Sequence, residues 1–482
     1  MRVLKPLAAI VVILVAIGIA YHLNWQHHID SGLPIPGAPV SFPLGNIGVL
    51  FTSPALTALE ELARNYADKV TGLSSVWLLD AQSVSVTRHQ DVETVFSTTT
   101  YREMAGRVQT LMEYIVGKTA LISLNGPDWE KYRGIVYGCI EKVDFARIVP
   151  DLLEGVDSTS QYFAGAGREL DALPLLRNLA LAIIGKNVYN RPLTGINNGT
   201  QAAATVMIDE LIRRTTGSNP LDTLFFVPTE NNLILNHARK VFHDDIGAEI
   251  ANRRAKAAGT DVDHEDMLKY FLADGRLDDQ ELQDAVAAAV FGSTETYTAF
   301  LGSGLYAVGA RKEIQDKIAA EAKKAFATPG QLDYADLKYT NLVVKEILRL
   351  YTPVPLVQRT LTMAATLAKD TPNAITVPKG TGIWAAQWVI HRSESNYKDP
   401  LVFRPERFLE KVPEYANIPF SAGKRNCVAA AFAEKVLTVM LARLVENTEY
   451  TTAGPAELLS TSNAFTEWPA NGVPVVPKPR KA

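Results

Sequence analysis

The sequence predicts a mainly α-helical protein with small β-sheets, and three observations carry that expectation. Residues 151–273 are mostly of helical period, and a long apolar helix runs from Asp279 to Val308 behind the capping pair Asp278 and Glu281. Strand-like alternation is confined to short runs, Val76 to Thr87 and Thr376 to Ile390. At 482 residues and 47% hydrophobic content, the chain can bury a large core. A net charge of −4 gives no global basic field, which argues against nucleic acid as a partner. Two cysteines, Cys139 and Cys427, exclude a disulfide framework and a four-cysteine zinc site, leaving a single disulfide open. Eight scattered histidines with no His-x-x-x-His pair give little support to a histidine-rich metal site.

Taken in order, residues 1–29 are expected to form a membrane anchor, because Leu7 to Leu23 is almost wholly apolar. The same run is acceptable as the core of a secretory signal, with Gly18 and Ala20 as a passable cleavage site. Arg2 and Lys5 precede it and no Lys or Arg follows until Arg64, so the positive-inside rule alone puts the body outside the cytosol. Residues 30–40, with Pro34, Pro36 and Pro39, read as a stiff extended linker between the anchor and a body over 41–482. Val76 to Thr87, interrupted at Asp80-Ala81-Gln82, reads as a β-hairpin, and Asp91 to Phe96 begins a helix. From Thr98 to Val116 the period is indefinite, which leaves open a mobile loop over a pocket or an irregular helix.

Asn125-Gly126-Pro127 turns into a helix with Asp128 as the expected N-cap. Trp129 and Arg133, four apart, share a face. An isolated pair of this kind is most often a surface cation–π contact, whereas the functional reading is two donors aimed at one carboxylate. Cys139 on the same helix reads as core. The helical region breaks near residues 191–200 and again near 225–228. There is no GxGxxG or Walker-type loop, so any reducing nucleotide binds elsewhere, on a partner protein.

In the middle of the long helix, Gly292-Ser293-Thr294-Glu295-Thr296-Tyr297 places hydroxyls and a carboxylate in an apolar span. Buried, these groups are costly unless water or a ligand satisfies them, while a polar face toward solvent is the plain alternative. Hydroxyls that bond back to the helix also bend it, and the widened groove would hold water or a diatomic ligand. Glu346 and Arg349, three apart between apolar residues, read as a buried pair rather than a weak surface one. Tyr351 to Pro355 ends that helix, Arg359 follows in an extended run, and Phe403 to Phe408 closes a loop too long to be idle. Last comes Phe420-Ser421-Ala422-Gly423-Lys424-Arg425-Asn426-Cys427, followed by the apolar run Val428 to Ala433. A cysteine after a glycine turn and opening a helix is favoured as a thiolate and so can ligate a metal. Gly423 supplies backbone angles that a Cβ resists, and Arg425 a cation beside an anionic group. A buried free cysteine capping a core helix is the ordinary alternative, and the signals earlier in the chain outweigh it.

On these motifs the chain resembles a membrane-anchored cytochrome P-450 of eukaryotic microsomal type, a haem-thiolate monooxygenase. Phe420 to Cys427 fits the family's F-x-x-G-x-R-x-C signature, Glu346-x-x-Arg349 its E-x-x-R helix and Phe403 to Phe408 its meander. Trp129-x-x-x-Arg133 fits its C helix and Glu295-Thr296 the acid–alcohol pair of its central helix, all in the family's order and over roughly residues 30 to 480. The resemblance implies haem b between that helix and the cysteine loop, with Cys427 as axial thiolate and Phe420 beside the sulfur. It implies that Trp129, Arg133, Arg359 and Arg425 hold the haem propionates, and that Glu346, Arg349 and Arg407 form a buried triad behind the loop. Thr296 would steady bound oxygen or a water while Glu295 feeds protons from solvent.

The activity so implied is insertion of one oxygen atom from O2 into a lipophilic small molecule, in secondary or lipid metabolism. Electrons would come from NADPH through a cytochrome P-450 reductase, with cytochrome b5 as a further donor, and Lys131, Lys424 and Lys435 would face that partner. Microsomal members keep the body in the cytosol on an anchor in the endoplasmic reticulum membrane, and this overrides the charge rule. Modification of Asn198-Gly199-Thr200 would instead place the body in the lumen. The pocket is expected to be lined by residues 98–116, Phe225-Phe226, Ala288, Gly292 and Val354 to Val357. An oxygen-independent isomerase or peroxygenase of the same fold and a non-enzymatic haem-based sensor are the alternatives. Three departures stand out: Gly292-Ser293 where the family reads Ala-Gly, Tyr297 for a common second threonine, and Ala429 for the glycine two after the cysteine.

Overall fold

In the computed structural model, the residues described are 19–27, 29–42, 45–46, 55–78, 81–98, 106–191, 193, 199–216, 220–256, 265–328, 332–452 and 472–480. The first helices are α1 Ala55–Glu61, α2 His89–Thr98, α3 Gly106–Val116, α4 Gly126–Ile140 and α5 Phe145–Ala166. Then come α6 Leu173–Tyr189, α7 Gly199–Thr216, α8 Glu230–Lys256, α9 Met267–Asp274 and α10 Asp279–Gly309. The last are α11 Lys312–Ala325, α12 Lys338–Leu350, α13 Gln387–Ile390 and α14 Ala430–Asn447. Strands are short: β1 Ser74–Leu78, β2 Ala81–Val86, β3 Leu170–Asp171, β4 Val357–Thr360, β5 Ala365–Leu367, β6 Ile375–Val377, β7 Gly382–Ala385, β8 Thr448–Thr452 and β9 Pro474–Pro479.

Helix α10 is the axis. Asp278 accepts from the Glu281 amide at 2.8 Å while the Glu281 carboxylate accepts from the Asp278 amide at 2.8 Å, so the expected capping box is formed. From there its apolar residues pack chiefly on α6, with α8, α12 and α14 around the remaining sides. Helix α14, almost continuously buried from Val436 to Val445, lies against α5, α11 and α12. One apolar core runs through these helices, and a second forms under the four-stranded sheet, order β1-β2-β7-β4. That sheet joins distant sequence: β2 pairs parallel with β7, and β7 pairs antiparallel with β4, placing Arg359 opposite Ile383. A three-stranded sheet, β3-β9-β8, and the β5–β6 hairpin complete the strands.

Several local expectations change. The hairpin at residues 74–86 is present, but Gln387 to Ile390 coils into α13 instead of continuing the strand. Helix α4 starts at Gly126 with Asn125 in the extended cap position, so Asp128 is not the cap. Proline tolerates the first turn because its missing N–H has no partner there, and Asp128 then sits in that turn, where a negative charge meets the positive helix end. The region of indefinite period becomes helix α3 from Gly106, while residues 99–105 lie outside the described residues.

The proline-rich segment is no free spacer. Gly37 bridges Ser75, the Ser75 amide donates to Pro36 O at 2.7 Å, and Gln82 binds both the amide and the carbonyl of Leu33. Ile35 and Ala38 are buried, so the segment is strapped to the edge of the sheet. Most of the expected anchor lies outside the described residues, as does Asn198. Residues 19–27 are helical, and among the described residues no helix is long and apolar enough to cross a membrane.

Candidate active site

The cysteine loop is shaped by its backbone. Ser421 has φ +62° and Gly423 φ +67°, both in the left-handed region. At Gly423 a Cβ would stand 2.1 Å from the Phe96 carbonyl oxygen of α2, so only glycine fits both the angle and the space. The reversal lets the Cys427 amide donate to Phe420 O at 2.8 Å, which closes the loop around the sulfur. Cys427 is exposed, whereas Cys139 is fully buried in the core, and the two form no disulfide. Helix α14 begins three residues after Cys427 rather than at it, and Ala429 has φ −106°, an angle any residue adopts.

Cationic side chains gather around this loop from three directions. Arg425 donates to Leu124 O at 2.8 Å and to the Asn125 side chain, and its guanidinium lies 4.1 Å from the Trp129 ring centroid. Arg133, one turn after Trp129 on α4, lies 5.6 Å over the same ring and donates to Asn426 O at 2.8 Å. Burial pushes the Arg133 pKa down, while the charge of Cys427 pulls it back up. From the sheet, Arg359 on β4 reaches Ser421 Oγ at 2.9 Å and lies 4.7 Å over the Phe96 ring. The four residues expected to hold carboxylates therefore converge on the two sides of one loop.

The opposite wall is α10. Between Asp284 and Val308 of this helix, Ala285, Ala288, Ala289, Gly292, Ser293 and Thr296 alone are not buried, a spacing of one to four that lies on one face. A Cβ at Gly292 would meet nothing within 4 Å, so the face borders a hollow. The threonine hydroxyls need no water: Thr294, Thr296 and Thr298 donate to the carbonyls of Val290, Gly292 and Thr294 at 2.7, 2.9 and 2.7 Å. Glu295 points off this face toward α6, where Arg177 Nε lies 3.6 Å from its carboxylate. Arg177 also donates to Asp209 at 3.0 Å, and the Asp209 side chain is 57% exposed. Tyr297 is buried on the other flank, its phenol pKa pushed up by burial and further by the charge of Cys427. That electrostatic reach ties the helix to the sulfur.

Behind the loop, Glu346 accepts from both sides of the Arg349 guanidinium, at 2.8 and 2.9 Å, and from Arg407 Nε at 3.1 Å. Glu346 and Arg349 are fully buried, and the Arg404 amide also binds the carboxylate at 2.8 Å. Arg349 continues to the carbonyls of His391 and Pro400, and Arg407 to those of Lys398, Asp399 and Val402, so the cluster stitches the long loop to α12. His391 was not singled out as a site residue, although it holds the chain that leads to Phe420. Its Nε2 accepts from the Ile418 amide at 2.9 Å and its Nδ1 faces Arg349 O at 3.0 Å, so the ring is neutral with the proton on Nδ1. Burial pushes its pKa down to about 3. Arg177 and Asn125 were missed too: each is an ordinary polar residue whose partner is distant in sequence.

Of the expected lining residues, Ala288 and Gly292 face the hollow. Phe225 is stacked flat on Tyr114, ring centroids 4.0 Å apart, while Phe226 is 83% exposed and lines nothing. An exposed thiol with an indole and three guanidiniums around its loop, together with a helix face of small residues, suits a flat group that carries iron and carboxylates. The donor set fits haem.

The family model described as cytochrome P-450 matches residues 36–465. Probable cytochrome P-450 4d20 of Drosophila melanogaster is 26% identical over 93% of this chain and 93% of its own length. Cytochrome P-450 4d2 of the same fly is 26% identical over 95% of each. Cyclooctat-9-en-7-ol 5-monooxygenase of Streptomyces melanosporofaciens is 28% identical over 55% of this chain and 59% of its own. The cysteine loop, the buried glutamate–arginine cluster and these likenesses converge: the chain belongs to the cytochrome P-450 family of haem-thiolate monooxygenases.

Proposed function

We propose that this monooxygenase oxidises a lipophilic small molecule on a haem whose iron is held by Cys427. The observation that carries the proposal is the exposed thiol of a Gly423-dependent loop around which Trp129, Arg133, Arg359 and Arg425 gather. Bound haem would supply activation of O2, favoured by electron density from the thiolate ligand. The chain supplies the rest. Trp129, Arg133, Arg359 and Arg425 would hold the two carboxylates, and Glu346, Arg349 and Arg407 would keep the cysteine loop at fixed height.

Protons must reach the hollow from solvent. Because the Thr296 hydroxyl already donates to Gly292 O, its lone pairs are what it offers to a water or to a protonated ligand in the hollow. Arg177, held by exposed Asp209, would keep the carboxylate of buried Glu295 charged and in place, and Glu295 would take protons from water and pass them to the same turn of α10. Electrons in this family come from NADPH through a reductase. Lys424 within the cysteine loop, Lys435 on α14 and Lys131 on α4 would meet an acidic face of that partner, with cytochrome b5 as a further donor.

One relative is named as a 5-monooxygenase of cyclooctat-9-en-7-ol, which supports a lipophilic substrate class here. The apolar run over residues 7–23 supports a membrane anchor, and the resemblance to microsomal members supports its place in the endoplasmic reticulum with a cytosolic body. The central test is Cys427→Ala, which is expected to abolish the reduced carbon-monoxide band that marks a thiolate-ligated haem. Wild-type protein fully loaded with haem yet lacking that band would overturn the assignment. Reductase-supported turnover with NADPH separates the monooxygenase from an oxygen-independent isomerase and from a ligand sensor.

A further inference from the structure

The segment that joins α3 to α4, residues 117–125, touches the cysteine loop directly: Leu124 O and the Asn125 side chain are the acceptors that hold Arg425. Such a connector needs its own restraint. Three polar side chains from other helices supply it, two of them, His243 and Asp284, buried. Arg239 of α8 donates to Tyr114 O at 2.6 Å, and His243 of the same helix donates to Ile115 O at 2.9 Å, so both bind carbonyls in the last turn of α3. The third is Asp284 of α10, only 2% exposed. Its Oδ2 accepts from the Thr119 amide at 3.0 Å and from the Thr119 hydroxyl at 2.6 Å, and its Oδ1 accepts from Gln280 at 2.8 Å.

The carboxylate fits because residue 117 is glycine. Gly117 has φ +103°, and a Cβ there would fall 2.0 Å from the Asp284 carboxyl carbon. Ser123 Oγ then donates back to Gly117 O at 3.1 Å, and the Ser123 amide to Ala120 O at 2.8 Å, which folds the connector into a compact turn ending at Leu124. A continuous path thus runs from Asp284 through Thr119 and Ser123 to Leu124, Asn125 and Arg425.

We infer that Asp284 is a positioning residue for the haem carboxylates: it ties the connector to α10 and so holds Arg425 over Trp129 before haem arrives. This rests on the proposal that Arg425 and Trp129 hold those carboxylates. Asp284 touches neither haem nor substrate. Its effect passes through the connector alone, which makes it separable from the cysteine ligand. A thiol at Cys427 would still bind iron when Asp284 is changed, but the carboxylate edge of the cofactor would be loosely held.

The test measures haem release from the reconstituted full chain to excess apomyoglobin, together with amide hydrogen exchange of residues 118–125 with and without haem. Removing a partner that orients a ligand-holding residue typically costs about 10- to 100-fold in affinity, so Asp284→Asn and Gly117→Ala are expected to release haem about 10- to 100-fold faster. Exchange at 118–125 should quicken in both, including in the haem-free protein. Asp157→Asn, which removes a carboxylate bound by Arg443 far along α14, controls for general loosening and should release haem at the wild-type rate. Arg425→Ala separates the two levels of inference. If Arg425→Ala speeds release and Asp284→Asn does not, Asp284 has no positioning role. If Arg425→Ala itself leaves release unchanged, the carboxylate cradle is wrong and the role of Asp284 falls with it. Equal acceleration by Asp157→Asn would also overturn the inference.

Discussion

Replacing Gly423 with alanine adds one methyl group at the point where the cysteine loop meets α2. The new Cβ would lie 2.1 Å from Phe96 O and 3.0 Å from Phe96 C, whereas ordinary contact begins near 3.4 Å, so one partner must retreat by more than 1 Å. Phe96 is 1% exposed and carries Arg359 over its ring, so the loop is the side that yields. A left-handed φ costs an alanine about 1–2 kcal/mol before any clash is counted, a sizeable share of a total stability of about 5–15 kcal/mol. The chemistry should suffer more than the fold. A shift of about 1 Å in a reacting group lowers rates by about 100-fold, and the retreat carries Cys427, four residues on, with it. Gly423→Ala is therefore expected to unfold at a lower urea midpoint and to lose most of the reduced carbon-monoxide band. Gly134→Ala in α4, where a Cβ meets nothing within 4 Å, serves as control and should gain about 0.5–1 kcal/mol. A Gly423→Ala protein with wild-type midpoint and full band would refute the steric reading of the loop.

Two further predictions concern the scaffold behind the loop. Glu346→Ala strands two buried guanidiniums and the Arg404 amide, and breaking a buried ion pair in this way costs about 3–5 kcal/mol. The variant should accumulate as haem-free, protease-sensitive protein, and recovery of normal haem content would count against the cluster's role. His391 makes acid stability a test of its neutral ring. Its pKa is held down to about 3 from an ordinary 6.5, so as pH falls below 6.5 the unfolded chain takes up a proton that the folded chain refuses. Stability should therefore drop by roughly 1 kcal/mol per pH unit from this group across that window. His391→Gln should be weaker at neutral pH yet show a flatter acid limb in urea midpoints measured from pH 7 to pH 4. An acid limb of unchanged slope would assign the effect to other groups.

The legible part of the site was the part written in local spacing. Glu346 and Arg349 share a helical face three residues apart, Trp129 and Arg133 share one four apart, and Gly423 precedes its cysteine in a turn that needs glycine, so each pattern is visible within a few residues. What sequence did not show depends on pairings across more than a hundred residues. Nothing near Arg177 marks it as the partner of Glu295, and nothing near Asp284 points to Thr119, because tertiary packing alone brings them together. Phe225 and Phe226 make the same point at closest range. Both are apolar and adjacent, yet one stacks on Tyr114 and the other faces outward, a difference set by which side of the chain meets α3.

The departures from the family pattern now separate by physical weight. Ala429 takes φ −106°, so the backbone there asks nothing of a glycine. Ser293 is different, because it stands on the open face of α10 and its carbonyl lies 3.1 Å from the Thr296 hydroxyl, which also donates to Gly292 O at 2.9 Å. With its proton shared between two helix carbonyls, Thr296 meets the hollow as an acceptor. Ser293, one turn earlier on the same face, carries a hydroxyl that can donate as well as accept. On the proposed reading, the alcohol function of the acid–alcohol pair would then be spread over two residues, Thr296 as acceptor and Ser293 as donor.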